Sequence, residues 1–124
     1  MLPFIAAELE RLKVRWPDLT WDAVGRRWHL PAWLLPGGWS QTTCELWVPC
    51  PPAYPQTPPD NFFTEAALKL ADGRDPGSTS IAALENGTAV RCFSFHVQSG
   101  WNPEQGDGLE TFLFGVTRRL AEGS

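Results

Sequence analysis

Cys92, Ser94 and His96 lie in one short segment, "CFSFH", and are residue types that carry out nucleophilic chemistry. A small thiolate fraction near neutral pH attacks an acyl group well, so Cys92 is the first candidate nucleophile. Even spacing places all three side chains on one face of an extended strand, which makes the Ser94 hydroxyl an alternative nucleophile. His96 would lie roughly 13 Å from Cys92 at the rise of a strand, too far for direct proton transfer unless the segment bends.

Each of these residues also has a structural interpretation. Free cysteine is among the most often buried residue types, so Cys92 is alternatively a small hydrophobic side chain in the core. Cys44 and Cys50 lie on or beside a predicted strand and are expected to pack. A zinc site that joins either of them to Cys92 and His96 lacks the C-x-x-C spacing typical of such sites. We therefore expect no metal, and His96 is alternatively a polar residue satisfied by a neighbouring loop.

Length and composition predict one globular domain over residues 1–124 and exclude several classes of protein. The net charge is −4 and no block of Lys or Arg occurs, so nucleic-acid binding is not expected. The apolar stretches are short and broken by proline, so no membrane span is expected. Glu8 and Glu10 interrupt any signal-peptide core, which makes the cytoplasm the expected compartment and the cysteines free thiols.

Periodicity predicts a helix at each end of the chain and extended segments between them. Ile5, Leu9, Leu12 and Trp16 form one apolar stripe that Pro17 ends, and a second stripe begins at Leu109. The predicted order is helix 3–16, a strand or hairpin within 18–31 that bends at Gly25, strand 41–48, a short helix 64–71, loop 72–80, an extended segment 88–97 and helix 107–120. Such an order indicates an α+β fold with helices on one face of a small antiparallel sheet.

A proline-rich run, "WVPCPPAYPQTPPDNFF" at residues 47–63, separates two of the predicted strands. Proline fixes φ and donates no backbone hydrogen bond, so residues 51–59 are neither a central strand nor a helix interior. A stiff segment also loses little entropy on folding. The run is therefore predicted to be a rigid connector.

Two short patterns resemble the ubiquitin-conjugating (UBC) fold. "AYPQTPP" at residues 53–59 is similar to the Y-P-x-x-P-P connector that joins the third strand of that fold to the fourth. "CFSFHVQSGWNP" at residues 92–103 resembles the stretch in which an active-site cysteine precedes a W-x-P tripeptide and an amphipathic helix. "LPGGW" and "F-S-x-H" look most like bacterial members. The residues that the resemblance assigns to the connector and the floor of the site are Tyr54, Pro55, Pro58, Pro59, Trp101 and Pro103.

The resemblance implies an enzyme that accepts a ubiquitin-like protein from an activating enzyme as a thioester on Cys92. The acyl group would then pass to an amine of a target protein, and no cofactor is implied because the activating enzyme uses the ATP. Activating enzymes of the family often dock on the N-terminal helix, which here gives the partner-binding candidates Ile5, Glu8, Leu9 and Leu12. Bacterial relatives tend to belong to conjugation systems linked to antiphage defence.

The sequence departs from the family pattern because it has no His-Pro-Asn tripeptide, whose asparagine supports the oxyanion. Asn86 in "ENGTAV" is the candidate replacement, although its offset from Cys92 is not that of the family. Asp107 is a candidate to position the incoming amine, or alternatively an N-cap, since it forms a D-x-x-E pair with Glu110. The missing tripeptide leaves a second interpretation open: a non-catalytic UBC-fold module that binds the ubiquitin-like protein or its activating enzyme.

Overall fold

A sheet of six antiparallel strands flanked by two helices makes up the part of the chain that the computed structural model describes, residues 3–97 and 100–122. The elements are α1 Pro3–Leu12, β1 Thr20–Asp22, β2 Arg27–Leu34, β3 Thr43–Pro49, β4 Asn61–Glu65, β5 Thr79–Ala83, β6 Ala89–Ser94, a 3-10 turn Pro103–Gln105 and α2 Leu109–Glu122. The strand order is β1-β2-β3-β4-β6-β5. This α+β architecture is as predicted and is consistent with a UBC-like fold. Neither described helix is long and apolar enough to cross a membrane.

The helices and the first hairpin form where periodicity and turn chemistry predict them. Helix α1 ends at Leu12, earlier than the predicted residue 16, and turns connect it to Trp16. The bend between β1 and β2 is held by Asp22, whose Oδ1 accepts the backbone N–H groups of Val24 at 3.0 Å and Gly25 at 3.1 Å. Of the strand and the hairpin that the sequence left open here, the structure has the hairpin.

The predictions for residues 64–80 are wrong in two places. Thr64 and Glu65 are the last residues of β4 and not the start of a helix, because β3 and β6 pair with β4 on its two sides. The segment predicted as loop 72–80 contains the start of β5, which pairs with β6 along its length. In both cases pairing with neighbouring strands outweighs local sequence preference.

The main core lies between the two helices and one face of the sheet. Phe62 of β4 and Phe93 of β6 stack there with ring centroids 4.8 Å apart, and Phe112 of α2 is also fully buried. Ile5 and Leu12 complete the core from α1. Burying each such side chain contributes about 1.5–3 kcal/mol, so this face fixes how α1 and α2 sit on the sheet.

A smaller apolar cluster covers part of the opposite face of the sheet. It consists of Trp47, Leu84 and Val90, with Phe63 packed against them. An ion pair of 2.7 Å between Arg27 of β2 and Glu85 in the β5–β6 turn joins distant strands of the sheet. The β5–β6 hairpin therefore bends towards β2, and this second face is not a flat exposed surface.

Candidate active site

Cys92 lies in the middle of β6 and not on a loop. Its backbone pairs with Phe63 of β4 and with Ser80 of β5. Since directly opposed residues of a sheet share a face, Cys92 lies on the face of Phe63, opposite to the helices that cover Phe93. Its side chain is half-buried, whereas Cys44 and Cys50 are buried.

Burial and charge together set how readily the cysteine thiols ionise. Burial raises the pKa of Cys44 to about 12 and that of Cys50 to about 11. The pKa of Cys92 is also raised, mainly by partial burial and further by the negative charge of Asp60, while a hydrogen bond from Asn61 lowers it. Among the three cysteines, Cys92 is the one that combines partial exposure with a side-chain amide donor.

Asn61 is the residue at this site that sequence reasoning missed. It is the first residue of β4, and its Nδ2 donates a hydrogen bond to the Cys92 Sγ over 3.7 Å. Asn61 pairs with Ser94, two residues from Cys92 along β6, so the amide reaches the thiol diagonally across the two strands. The only signal in the sequence is its position immediately after the proline connector, and that signal becomes useful only when the strand register is known.

The other two residues of the "CFSFH" segment are placed differently. Ser94 ends β6, is exposed and shares the face of Cys92, so the hydroxyl lies on the same side of the sheet as the thiol. His96 follows the strand and is exposed. Within residues 3–97 and 100–122, no hydrogen bond joins His96 to either candidate nucleophile.

Asn86 is not brought to the thiol. It lies in the turn between β5 and β6, where its Oδ1 accepts the backbone N–H of Thr88 at 3.0 Å. Ala89, which begins β6, is already about 10 Å from Cys92 at the rise of a strand, and Asn86 lies beyond it. The asparagine that contacts Cys92 is therefore Asn61 and not the one expected from the sequence.

Asp107 connects the W-x-P segment to α2 and does not cap the helix as expected. Its Oδ2 accepts the backbone N–H of Asn102 at 2.7 Å, and its Oδ1 accepts the hydroxyl of Thr111 at 3.2 Å. The carboxylate that accepts a backbone N–H at the start of α2, that of Leu109, belongs to Glu8. One Asp107 oxygen thus accepts a hydrogen bond from the loop and the other from the first turn of α2, and neither is directed to the thiol.

The proline connector and the W-x-P segment are in direct contact. The Trp101 Nε1 donates to the Pro55 carbonyl oxygen at 2.8 Å, and Pro103 begins the 3-10 turn that follows. Tyr54 is buried, and Pro58 and Pro59 are partly and fully buried. A cavity of about 330 Å³ lies between the W-x-P segment and α2, with Trp101 in its lining.

The face of α1 expected to meet a partner is largely buried. Ile5, Glu8 and Leu12 lie in the core and Leu9 is partly buried, because the apolar stripe packs on the sheet and on α2. Only part of Leu9 is accessible, so the expectation for the other three side chains is corrected. The exposed positions of α1 include Phe4, Ala7 and Arg11.

Metal-ligating side chains do not cluster in the ranges 3–97 and 100–122. No group of three or more His, Cys, Asp and Glu residues is placed there to hold an ion.

Comparison with known proteins gives one match. No curated protein and no solved structure matches the chain significantly. The family model described as "Prokaryotic E2 family E" matches residues 9–123, nearly the whole chain, and E2 denotes the ubiquitin-conjugating class. The α+β fold and the match agree, and the chain belongs to prokaryotic E2 family E.

Proposed function

We propose that the chain is a conjugating enzyme that carries a ubiquitin-like protein as a thioester on Cys92 and passes it to an amine. Membership of prokaryotic E2 family E supports a role in ubiquitin-like conjugation generally. The observation that carries the assignment to Cys92 is the 3.7 Å contact between its Sγ and the Asn61 amide. That contact supports the assignment because it gives the half-buried thiol an adjacent amide donor, the kind of group that stabilises a developing oxyanion.

Charging requires the Cys92 thiolate. The thiolate attacks the thioester carbonyl presented by the activating enzyme, forms a new C–S bond, and releases the thiolate of that enzyme. In the tetrahedral intermediate, the Asn61 amide donates to the oxyanion. Removing one donor of this kind typically costs about 10²–10³ in rate.

Transfer to the acceptor follows the same route. The neutral amine attacks the thioester carbon, the C–S bond breaks, Cys92 leaves as a thiolate, and the amine loses one proton. We assign the uptake of that proton to the exposed carboxylate of Asp60, whose negative charge acts on Cys92. Asp60 takes the role expected of Asp107, because both oxygens of Asp107 already accept hydrogen bonds, one from Asn102 and one from Thr111.

The partners in this proposal are a ubiquitin-like protein, its activating enzyme and a target protein. The activating enzyme docks on the exposed side of α1, with Phe4, Ala7 and Arg11 as contact residues and the accessible part of Leu9 at the edge. The biological setting proposed is a bacterial antiphage conjugation system, on the resemblance noted above.

A charging assay tests the proposal. The protein is incubated with ATP and lysate from its source and analysed on a non-reducing gel. A mass gain that needs Cys92 and disappears with thiol reductant is expected, and Asn61→Ala should slow its formation. Asn86→Ala is the matched control because its amide serves only the β5–β6 turn.

Two other outcomes would overturn the assignment. A reductant-resistant, hydroxylamine-sensitive adduct that needs Ser94 would move the nucleophile to the hydroxyl. No adduct, together with retention of a ubiquitin-like or activating protein by the chain, would favour a non-catalytic binding module. The half-buried position of Cys92 within a paired strand, with its raised pKa, is the observation that favours this second candidate.

A further inference from the structure

A hydroxyl on the neighbouring strand β5 lies beside the Cys92 thiol. Ser80 pairs with Cys92 in the register of β5 and β6, so the two residues are directly opposed. Directly opposed residues of an antiparallel pair share one face of the sheet, and their Cβ atoms lie about 4.5–5.5 Å apart. The Ser80 side chain is therefore next to any acyl group that is bound to the Cys92 Sγ.

The Ser80 hydroxyl is available for a new hydrogen bond. Ser80 is exposed, and among the described residues its hydroxyl has no partner. The hydroxyl of the preceding residue, Thr79, is already used: it donates to the Pro76 carbonyl oxygen at 2.7 Å and accepts from the Arg91 Nη1 at 2.9 Å. Thr79 also lies on the opposite face, because successive residues of a strand alternate. Of these two hydroxyls, only that of Ser80 can serve the thiol.

The surroundings of Cys92 on this face are apolar on one side and polar on the other. Val90, two residues earlier in β6, is fully buried, and Phe63, directly opposed on β4, packs against the same apolar cluster. Asn61 and Ser80 supply polar groups, one from β4 and one from β5. Charge that develops on an acyl oxygen is stabilised by preorganised donors and not by apolar side chains. The favourable position for that oxygen is therefore on the side of the amide and the hydroxyl.

We propose that Ser80 is a catalytic residue whose hydroxyl donates a hydrogen bond to the oxyanion formed at Cys92, together with the Asn61 amide. This inference rests on the proposed function, because it names a second donor for the same acyl transfer. When the Cys92 thiolate attacks an acyl carbon, the C–S bond forms and a carbonyl electron pair moves to the oxygen. When the intermediate collapses, that pair forms the carbonyl again and the leaving group departs with its bonding pair. Ser80 keeps its proton throughout.

Ser80 and Asn61 differ in what they contact before the reaction. The Asn61 Nδ2 already donates to the Cys92 Sγ, so it acts on the thiol itself. Ser80 has no such bond to the thiol among the described residues, so its hydroxyl acts when an acyl oxygen is present. A reaction of Cys92 that builds no oxyanion should consequently be indifferent to Ser80.

The test compares two reactions of Cys92 in the full chain at one pH. p-Nitrophenyl acetate acetylates the thiolate through a tetrahedral oxyanion and releases p-nitrophenolate. Iodoacetamide alkylates the same thiolate by displacing iodide, and no oxyanion forms. Both rates are followed by mass spectrometry of the peptide that contains Cys92. Because both reactions need the thiolate, the ratio of the acetylation rate to the alkylation rate does not depend on the thiolate fraction.

Three variants show whether the hydroxyl and its position matter. Ser80→Ala should lower the ratio about tenfold, because a hydrogen bond to a charged oxygen is lost. Ser80→Thr keeps the hydroxyl on a residue type suited to strands, so the ratio should stay close to that of the wild type. The matched control combines Ser80→Ala with Ala82→Ser, which moves the hydroxyl two residues along the same face of β5. Its ratio should remain as low as that of Ser80→Ala.

Several results would overturn the proposal. One is a wild-type ratio in Ser80→Ala, whether the two rates are unchanged or fall together. Others are a ratio in Ser80→Thr as low as in Ser80→Ala, and a recovered ratio in the variant with the displaced hydroxyl. Failure of Cys92 to react with either reagent would mean that the site is closed to an acyl donor. Neither reaction uses ATP or a ubiquitin-like protein, so failure of this test and failure of the charging assay are separate results.

Discussion

At Cys92, partial burial opposes a hydrogen bond in setting the reactivity of the thiol. Burial and the Asp60 charge disfavour the thiolate, and the Asn61 amide favours it. The raised pKa slows attack at neutral pH, whereas the partial burial that raises it would also shield a thioester sulfur from water. Under the proposed mechanism, binding of the activating enzyme would have to favour the thiolate of Cys92, which the resting site disfavours.

The alkylation rate of Cys92 by iodoacetamide, measured against pH by mass spectrometry, should respond in opposite directions to changes at its two neighbours. Asp60→Asn removes a negative charge, so the pH midpoint should fall. Asn61→Ala removes the donor to the thiolate, so the midpoint should rise. Cys44 and Cys50 are buried and should react slowly in all variants. Identical midpoints in the wild type and both variants would contradict this account.

The candidate nucleophile was accessible to sequence reasoning, and its neighbours were not. Cys92 is identified by residue type and by its position before the W-x-P pattern. Asn61 is 31 positions away in the chain and meets Cys92 only because β4 and β6 pair in one register. Asn86 is close to Cys92 in sequence, but the extended residues of β6 between them keep the two side chains apart. Contacts across a sheet depend on the register between its strands, which is set by the face that the sheet buries and by turn geometry.

At the scale of elements, the two helical stripes and the extended segments 41–48 and 88–97 were predicted correctly, and residues 64–80 were not. α1 and α2 have clear apolar stripes, and both were predicted. Residues 64–71 contain good helix formers, yet Thr64 and Glu65 complete β4 because two strands pair with it. β5 has a largely exposed sequence of small residues, and its pairing with β6 is what makes it a strand.

Gly115 allows α2 to approach the segment after β6. A Cβ at this position would lie 2.5 Å from the Phe95 ring. Alanine normally stabilises a helix by roughly 1 kcal/mol over glycine, but overpacking costs about 1–3 kcal/mol. We expect Gly115→Ala to lower the free energy of unfolding measured in urea.

The matched control for this prediction is the same substitution in a Phe95→Leu background. The smaller side chain removes the close contact, so Gly115→Ala should there be neutral or stabilising. Equal effects of the substitution in both backgrounds would show that Phe95 is not the cause.

Trp101 joins the W-x-P segment to the proline connector through one hydrogen bond to Pro55. Trp101→Phe keeps an aromatic ring and removes that bond, which contributes roughly 1 kcal/mol. We expect faster amide hydrogen exchange at residues 102–107 with little change in the strands. Exchange that rises equally in β3 and β4 would instead indicate global destabilisation.

At the scale of the whole molecule, one buried carboxylate joins three parts of the chain. Glu8 of α1 accepts the Tyr54 hydroxyl of the connector at 2.7 Å and the Leu109 backbone N–H at the start of α2 at 3.2 Å. The side chain is 1% exposed, and burial raises its pKa despite these hydrogen bonds and the charge of Arg11. The folded protein therefore favours the protonated form of Glu8 more than the unfolded chain does.

The stability of the fold should consequently depend on the charge of Glu8. Because its folded pKa lies above 4.5, the stabilisation from its proton is fully present below 4.5 and is lost as pH rises through the folded pKa. Glu8→Gln stays neutral, so its free energy of unfolding relative to wild type should increase between about pH 4 and pH 8, measured by urea denaturation. Other carboxylates with lowered pKa values contribute equally to the pH dependence of both proteins, so they cancel in the difference; these are Asp72, Asp75 and Glu85. If the difference in the free energy of unfolding between Glu8→Gln and wild type stays constant with pH, ionising Glu8 costs no free energy in the folded protein.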